Sequence, residues 1–401
     1  MRLVIACGGS GGHIYPGLTL AKTLQQLQPK VNVAFLAARK ATDQAIFAKR
    51  PYRVHALIPC PMPEHGSFIR WFFFLMRFMA AFCQALWIQL TFRPRCMVAF
   101  GGYVSGPAIL SALLFRRKTL LHEENLVPGR ANRLLTSHVT RICLGWRESA
   151  RFLRPSHPPV TTGLVVRSDL KRLDRKTALA FFRLDTARKT ILVMGGSQGS
   201  HRVNALFLDS LKELPREALD GLQVIHLSGA HDAPWLSAGY QAFQFPVKVT
   251  PFLEAMSEAY SAADIVVGRG GAMTIAEVIY FRKPSVLIPL RLAGGHQRQN
   301  IKLLSEQEAC YLLTEEAATP ILFAKILQGL LEDAALRQTL SQNLCYFEID
   351  VAAKRLAGEV LKLLNGVNME GQKTIDNRLE TIDMKGKQNI LELSTLRLKC
   401  L

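Results

Sequence analysis

Twice in this 401-residue chain a short run of branched apolar residues ends in a glycine-rich turn that opens a helix-compatible stretch: LVIACGGSGGHIYPG at 3–17 and ILVMGGSQGSH at 191–201. Glycine at such a turn lets the backbone come close to a phosphate while the first N–H groups of the helix face it. Further apolar runs, at 31–36, 97–100, 224–227, 265–267 and 285–289, alternate with segments of helical period. That alternation is the pattern of parallel sheets covered by helices, so the expected fold class is α/β, with two domains whose parallel sheets face a cleft. The proline cluster RPSHPP at 154–159 cannot continue a helix and sets the boundary near residue 163. The expected division is an N-terminal domain over 1–162, a C-terminal domain over 163–345, a helix within 346–365 that packs back on the first domain, and a polar, aperiodic, mobile extension over 366–401.

Lys and Arg outnumber Asp and Glu by 50 to 31, a net charge of +19 that attracts the phosphates of nucleotides, nucleic acids or anionic lipids. No nucleic-acid motif with interleaved aromatic residues occurs, so nucleic acid is not expected as a partner. The eight cysteines form no C-x-x-C pair and have no histidine at zinc spacing, which reads as reduced core thiols. With no D-x-D and no carboxylate cluster suited to magnesium, neither a metal nor a cofactor is expected. The first strand pattern begins directly after Met1, leaving no room for a signal segment, and export is not expected.

Gly8 to Gly12 meet neither the dinucleotide pattern G-x-G-x-x-G nor the P-loop pattern. A third turn, GGYVSGP at 101–107, again follows a strand, and turns at the carboxyl ends of strands line the cleft where open α/β sheets bind ligands. A fourth, in GRGGAMTIAEV at 268–278, leads into a helix bearing Glu277. From there a carboxylate can accept from both hydroxyls of a ribose while the helix start faces a diphosphate; the bland alternative is a solvated helix residue.

The segment FIRWFFFLMRFMAAFCQALWIQL at 68–90 is long enough to raise a membrane span. Arg70, Arg77 and Gln84 recur every seven residues, however, and are expected to form one polar stripe on an interfacial helix. Arg93, Arg95, Arg116, Arg117 and Lys118 flank it, so the expected partner is an anionic membrane surface, bound peripherally.

LVIACGGSGGHIYPG, AFGGYVSGPAILSA, LHEENLVPGRANRLL, VVRSDL, VMGGSQGSHRVN and GRGGAMTIAEVIYFRKPSVLIPLRLAGGHQRQN follow one another in an order and spacing that resembles MurG-type N-acetylglucosaminyltransferases of peptidoglycan synthesis, over residues 1–365. The resemblance implies two Rossmann-like domains of the GT-B glycosyltransferase fold. It implies transfer of GlcNAc from UDP-GlcNAc to the muramyl 4-hydroxyl of lipid I, with inversion, to give lipid II at the cytoplasmic face of the inner membrane. It puts the candidate base at His13 and an acceptor side at Gly102, Tyr103, Ser105, Glu124 and Asn125. The donor side falls on Ser10, Gly11, Gly12, Asn125, Arg167, Ser197, Gln198, Gly199, Glu277 and Gln297. Three departures stand out: Glu124 where the family usually has Gln, Gly270 where Ser or Ala is common, and a tail past Asn365 without counterpart. His13 has a second reading, as a residue that only orders its turn or bonds a diphosphate oxygen, with Glu124 or a water as the base instead. For the whole chain the alternatives are another sugar-nucleotide enzyme, such as a glycolipid glycosyltransferase or a UDP-GlcNAc epimerase, and a non-catalytic basic membrane-binding module.

Overall fold

The computed structural model describes residues 1–63, 67–196, 198–291 and 295–366. Strands Arg2–Ala6, Asn32–Ala38, Arg53–Leu57, Cys96–Ala99, Lys118–Glu123, Arg141–Leu144 and Val160–Thr161 (β1 to β7) form one sheet. Strands Lys189–Met194, Leu222–Leu227, Val247–Thr250, Ile265–Gly268, Ser285–Leu287 and Tyr311–Leu312 (β8 to β13) form a second. The spatial orders are β3-β2-β1-β4-β5-β6-β7 and β10-β9-β8-β11-β12-β13. Every pairing is parallel: Leu3–Ala6, for example, run beside Leu36 and its predecessors on one side and beside Cys96–Ala99 on the other. In each sheet the chain leaves the first strand in opposite directions, to β2 and to β4, or to β9 and to β11, and a crevice opens at that switch point.

The central strands are buried on both faces, which is why LVIA and ILVM read as unbroken apolar runs. Six further strands lack so clean a signal. β3, β6, β7, β10 and β13 lie at or beside sheet edges, and β5 ends in the buried polar pair His122 and Glu123, which interrupts its apolar run.

Helix Ala352–Asn365 crosses from the second sheet to the first, where Leu356, Ala357, Val360 and Leu364 complete the cluster built on Leu3, Ile5, Leu20 and Phe35. Burying a side chain of this size stabilises the fold by about 1.5–3 kcal/mol. Glu359 on the same helix is buried and paired with Arg141 and Lys362. Gly366 ends the helix at φ +67°, and residues 367–401, the bulk of the expected extension, lie outside the described residues.

Helix Phe68–Thr91 packs on the first sheet only through its last turns, where Ala81, Ala85, Ile88 and Gln89 are buried. Phe68, Ile69, Phe72, Phe73, Leu75 and Met76 are each half exposed or more. Only 17% of its most apolar window is buried, so it is not a core helix. The expected single polar stripe is corrected. Arg70 and Arg77 are exposed, but Gln84 faces the body, where its Oε1 accepts from the Ile58 N–H at 2.9 Å, because the last turns are the ones held against the sheet.

Candidate active site

The four glycine turns follow β1, β4, β8 and β11, the strands that flank the two switch points. At the first, Gly9, Gly101 and Gly102 have φ of +90°, +99° and +73°, which favours glycine over any residue with a Cβ. They also leave room. A Cβ on Gly101 or Gly102 would stand 3.4 Å from the His13 ring, one on Gly9 would stand 3.0 Å from the Tyr103 ring, and one on Gly8 would meet Asp43 Oδ2 at 2.8 Å. Asp43 accepts from the N–H groups of Gly9 (2.8 Å) and Ala38 (3.1 Å), tying the first loop to the end of β2. Ser105 is fully buried; its hydroxyl donates to the Gly101 carbonyl (2.7 Å) and accepts from the Gly101 N–H (3.0 Å). Ser105, expected on the acceptor side, thus uses its hydroxyl proton and one lone pair to lock the turn. Tyr103 keeps a hydroxyl with no partner, and burial, with Asp43 adding to it, pushes its pKa up to about 12.

His13 lies in the first turn of helix Gly11–Leu27, half buried, with Nδ1 3.2 Å from Ser10 Oγ. Burial lowers its pKa, against the pull of Glu123, the Gly8 carbonyl and Asp43. The ring is therefore neutral near pH 7 and can accept a proton, with two carboxylates near enough to stabilise the imidazolium. Glu123, at the end of β5, accepts four hydrogen bonds: from Asn125 N (2.8 Å), Asn125 Nδ2 (3.1 Å), Gly129 N (3.1 Å) and Asn132 Nδ2 (2.7 Å). It thereby shapes the whole loop that carries Asn125.

Glu124 faces the other way, as successive residues of an extended chain do. It is buried, 3.9 Å from Nδ1 of His122, and burial, reinforced by Glu123, holds its carboxyl well above the usual range. Burial also lowers His122 to about 4. The side chain of Glu124, expected on the acceptor side, thus sits inside the domain in the unliganded chain.

At the second switch point the glycines make room for backbone instead. A Cβ on Gly199 would come within 2.3 Å of the Ser228 carbonyl, and one on Gly229 within 2.5 Å of the Gln198 carbonyl. Gln198 has an exposed side chain, and Ser197 lies outside the described residues. Arg269 ties the two turns together: Nη2 donates to Ser200 Oγ (2.6 Å) and Nη1 to Glu315 (2.5 Å) and to the Ile288 and Pro289 carbonyls. Gly270 leaves space for Ile301, which a Cβ would meet at 2.4 Å, so the departure from Ser or Ala has a local cause. Gln297 accepts through Oε1 from the N–H groups of Gly270 (3.3 Å) and Leu290 (2.9 Å).

Glu277 is buried beneath this turn, accepting from the Tyr260 hydroxyl at 2.9 Å. Burial raises its pKa to about 7, against Arg167 and the Tyr260 bond. Arg167 makes a two-pronged bond to Asp169 (3.1 and 2.9 Å), and its guanidinium lies 4.2 Å over the ring of Tyr15. Tyr15 belongs to the first domain's helix, directly after His13 and Ile14, so the loop that presents the histidine also supplies the platform for this arginine.

Two further residues span the domains. Asn300 Oδ1 accepts from the Leu126 N–H (2.8 Å) while its Nδ2 donates to Asn125 Oδ1 (3.1 Å), and His296 Nδ1 bonds the Val127 carbonyl (2.7 Å). Sequence reasoning missed Asp43, Glu123, Tyr15, Arg269 and Asn300. For all but Asp43 a signal existed, since Tyr15, Glu123, Arg269 and Asn300 lie inside quoted motifs, HIYPG, LHEEN, GRGGAM and HQRQN.

Residues 3–144 match the N-terminal domain of glycosyltransferase family 28 and residues 190–356 its C-terminal domain. A curated relative from Desulforamulus reducens, a UDP-N-acetylglucosamine–N-acetylmuramyl-(pentapeptide) pyrophosphoryl-undecaprenol N-acetylglucosamine transferase, is 30% identical over 357 residues, which is 86% of this chain and 93% of the relative. The crystal structure of Acinetobacter baumannii MurG has a TM-score of 0.71 at 24% identity, over 90% of this chain and 99% of that one. A UDP-N-acetylglucosamine 2-epimerase also superposes, with a TM-score of 0.63 at 12% identity over 92% and 97% of the two chains. The fold is therefore common to transfer and epimerisation, and it is the sequence that separates them.

Proposed function

The chain belongs to glycosyltransferase family 28, and from that premise we propose that it is an inverting transferase that moves GlcNAc from UDP-GlcNAc to the muramyl 4-hydroxyl of lipid I, forming lipid II. The observation that carries the reading is the pairing of unlike switch points across one cleft. One offers a neutral imidazole seated on bare glycine backbone; the other offers a buried carboxyl with an arginine beside it.

In this reading His13 takes the proton of the muramyl 4-hydroxyl as that oxygen attacks the anomeric carbon of GlcNAc. The bond from the anomeric carbon to the diphosphate oxygen breaks, UDP leaves with the electron pair, and entry opposite the leaving group inverts the centre. The diphosphate is stabilised by Arg167, by Ser10 and the first amides of helix Gly11–Leu27, and by the turn holding Gln198 and Gly199. Glu277 accepts from the ribose hydroxyls, Gln297 lines the sugar side, and Asn125 stands where donor and acceptor meet. Gly102 and Tyr103 line the acceptor side.

The acceptor's lipid keeps the enzyme at a membrane. The exposed apolar half of helix Phe68–Thr91, with Arg70 and Arg77 exposed on it and Arg93, Arg95, Arg116, Arg117 and Lys118 following in the chain, suits peripheral insertion into the anionic cytoplasmic leaflet. Nucleic acid has no part in this reading. The test is incubation of the full chain with UDP-GlcNAc and a short-chain lipid I analogue, with equal amounts of UDP and disaccharide product expected. Interconversion of UDP-GlcNAc with its 2-epimer without any acceptor would overturn transfer in favour of epimerisation.

A further inference from the structure

The second sheet has another concave site, at the edge opposite the glycine turns. A cavity of about 420 Å³ is lined by residues that stand before strands rather than after them: Asp264 precedes β11, and Arg282 and Lys283 precede β12. Arg172, Arg175 and Arg337 complete its charged lining, so that five cations face the single carboxylate of Asp264.

Two of the five are paired with carboxylates, Arg175 with Asp264 and Arg172 with Asp350, and the charge of the others is left standing. Arg175 donates to Asp264 (2.9 Å) and to the Thr186 and Arg188 carbonyls, while its Nε is buried with no partner. Lys283 Nζ donates to the Ala263 carbonyl (2.7 Å), and Arg337 to the Leu330 and Leu331 carbonyls (2.6 and 2.9 Å). Arg172 donates to the Tyr280 carbonyl and to Asp350. Backbone carbonyls satisfy donors but carry no net charge. Burial lowers Lys283 to about 8, with Asp264 opposing and Arg175 adding to it, so the ammonium here gains from any anion brought near. Guanidinium forks together with an ammonium match the oxygens of a phosphoryl group, and the cavity is of the size that holds small ligands.

We propose that this cavity is a second anion site, separate from the cleft, that takes the phosphoryl group of a small soluble molecule. It stands independently of the transferase reading, because none of its residues reaches the glycine turns.

The probe is inorganic phosphate, titrated calorimetrically at fixed ionic strength into the full chain already saturated with UDP. One phosphate per chain is expected, with affinity weakened roughly tenfold or more in K283Q and in R282N, as loss of a charge-assisted partner requires. R282N suits a backbone at φ +52°, where Asn is tolerated, and it keeps the fold if Lys283 proves structural. Unchanged melting temperature and UDP affinity in the variants locate the loss in the cavity, and R216Q, on an exposed helix of the same domain, is expected to bind phosphate normally. No binding at tens of millimolar phosphate, or equal binding in wild type and both pocket variants, overturns the site. Phosphatidic acid vesicles that displace phosphate from wild type would make a lipid headgroup the source and overturn the soluble ligand; failure to displace it supports the soluble one.

Discussion

The two switch points share a topology and differ in what occupies the space their glycines leave empty. At the first, polar and aromatic side chains share it with backbone: the His13 ring against Gly101 and Gly102, the Tyr103 ring against Gly9, Asp43 beside the Ala38 amide against Gly8. At the second, backbone fills most of it, with the Ser228 and Gln198 carbonyls pressed on Gly199 and Gly229 and a buried Arg269–Glu315 pair locking the turns; the one side chain there, Ile301 against Gly270, is apolar. A glycine that admits a side chain can host proton chemistry, whereas a glycine that admits backbone makes a rigid cradle with few titratable groups. One architecture, duplicated, is in this way divided between reaction and grip.

The sharpest way to break that division is His13→Ala. Loss of a general base lowers kcat by roughly 10²–10⁴ while UDP-GlcNAc affinity barely changes. A variant that turns over normally but no longer binds donor would move His13 to the gripping side.

Glu277→Gln probes the other half. Loss of an ionised acceptor weakens UDP binding by about 1.5–3 kcal/mol, roughly 10- to 150-fold. Wild-type affinity is expected to fall as pH drops through about 7, where the carboxyl protonates, and the variant is expected to lack that dependence. Stability runs in the opposite sense. A carboxyl raised from 4.5 to about 7 on folding destabilises the unliganded protein fully above pH 7 and not at all below 4.5. Glu277→Gln is therefore expected to melt higher than wild type at pH 8, with the difference vanishing toward pH 4.5. A constant difference across that range would remove Glu277 as the titrating group.

Tyr15→Leu tests whether the two halves are coupled. Losing the ring under Arg167 costs about 0.5–2 kcal/mol of cation–π attraction, read as a roughly 2- to 30-fold fall in kcat/KM. Tyr15→Phe keeps the ring and is expected to restore the rate; equal damage in both would point to the hydroxyl instead. Least of all, Lys49→Ala removes an exposed ion pair with Glu254 that also crosses between the domains. Solvent-exposed pairs contribute little, and unchanged melting and turnover are expected. A clear loss would mean that the surface pairs, and not the buried contacts of Asn300 and Thr19, hold the domains together.

What could be read from the sequence was local. A strand, a glycine turn and a helix lie consecutively in the chain, so all four turns and His13 were visible in the order of residues. The parts played by Asp43 and Glu123 were not, because each reaches the site from a different strand's end, and only the order β2-β1-β4-β5 brings those ends together. Ser105 and Glu124 show the converse. Motif position indicated them, but a hydroxyl folded back on Gly101 and a side chain turned inward by strand alternation are decided by backbone conformation, which the order of residues does not state. The heptad spacing of Arg70, Arg77 and Gln84 likewise described an isolated helix, whereas packing of its last turns chose the buried face.

Helix Ala352–Asn365 has a consequence for how the protein is made. Leu356, Ala357, Val360 and Leu364 belong to the core of the first domain, yet they are joined to the chain after the whole second sheet. On the ribosome, strands β1 to β7 emerge with one flank of their core uncovered, and that flank stays open while about two hundred further residues are added. The second domain has every strand it needs before the first has its last helix. The domain synthesised first is thus the one finished last, and its exposed apolar flank has to be kept from other chains until the closing helix arrives.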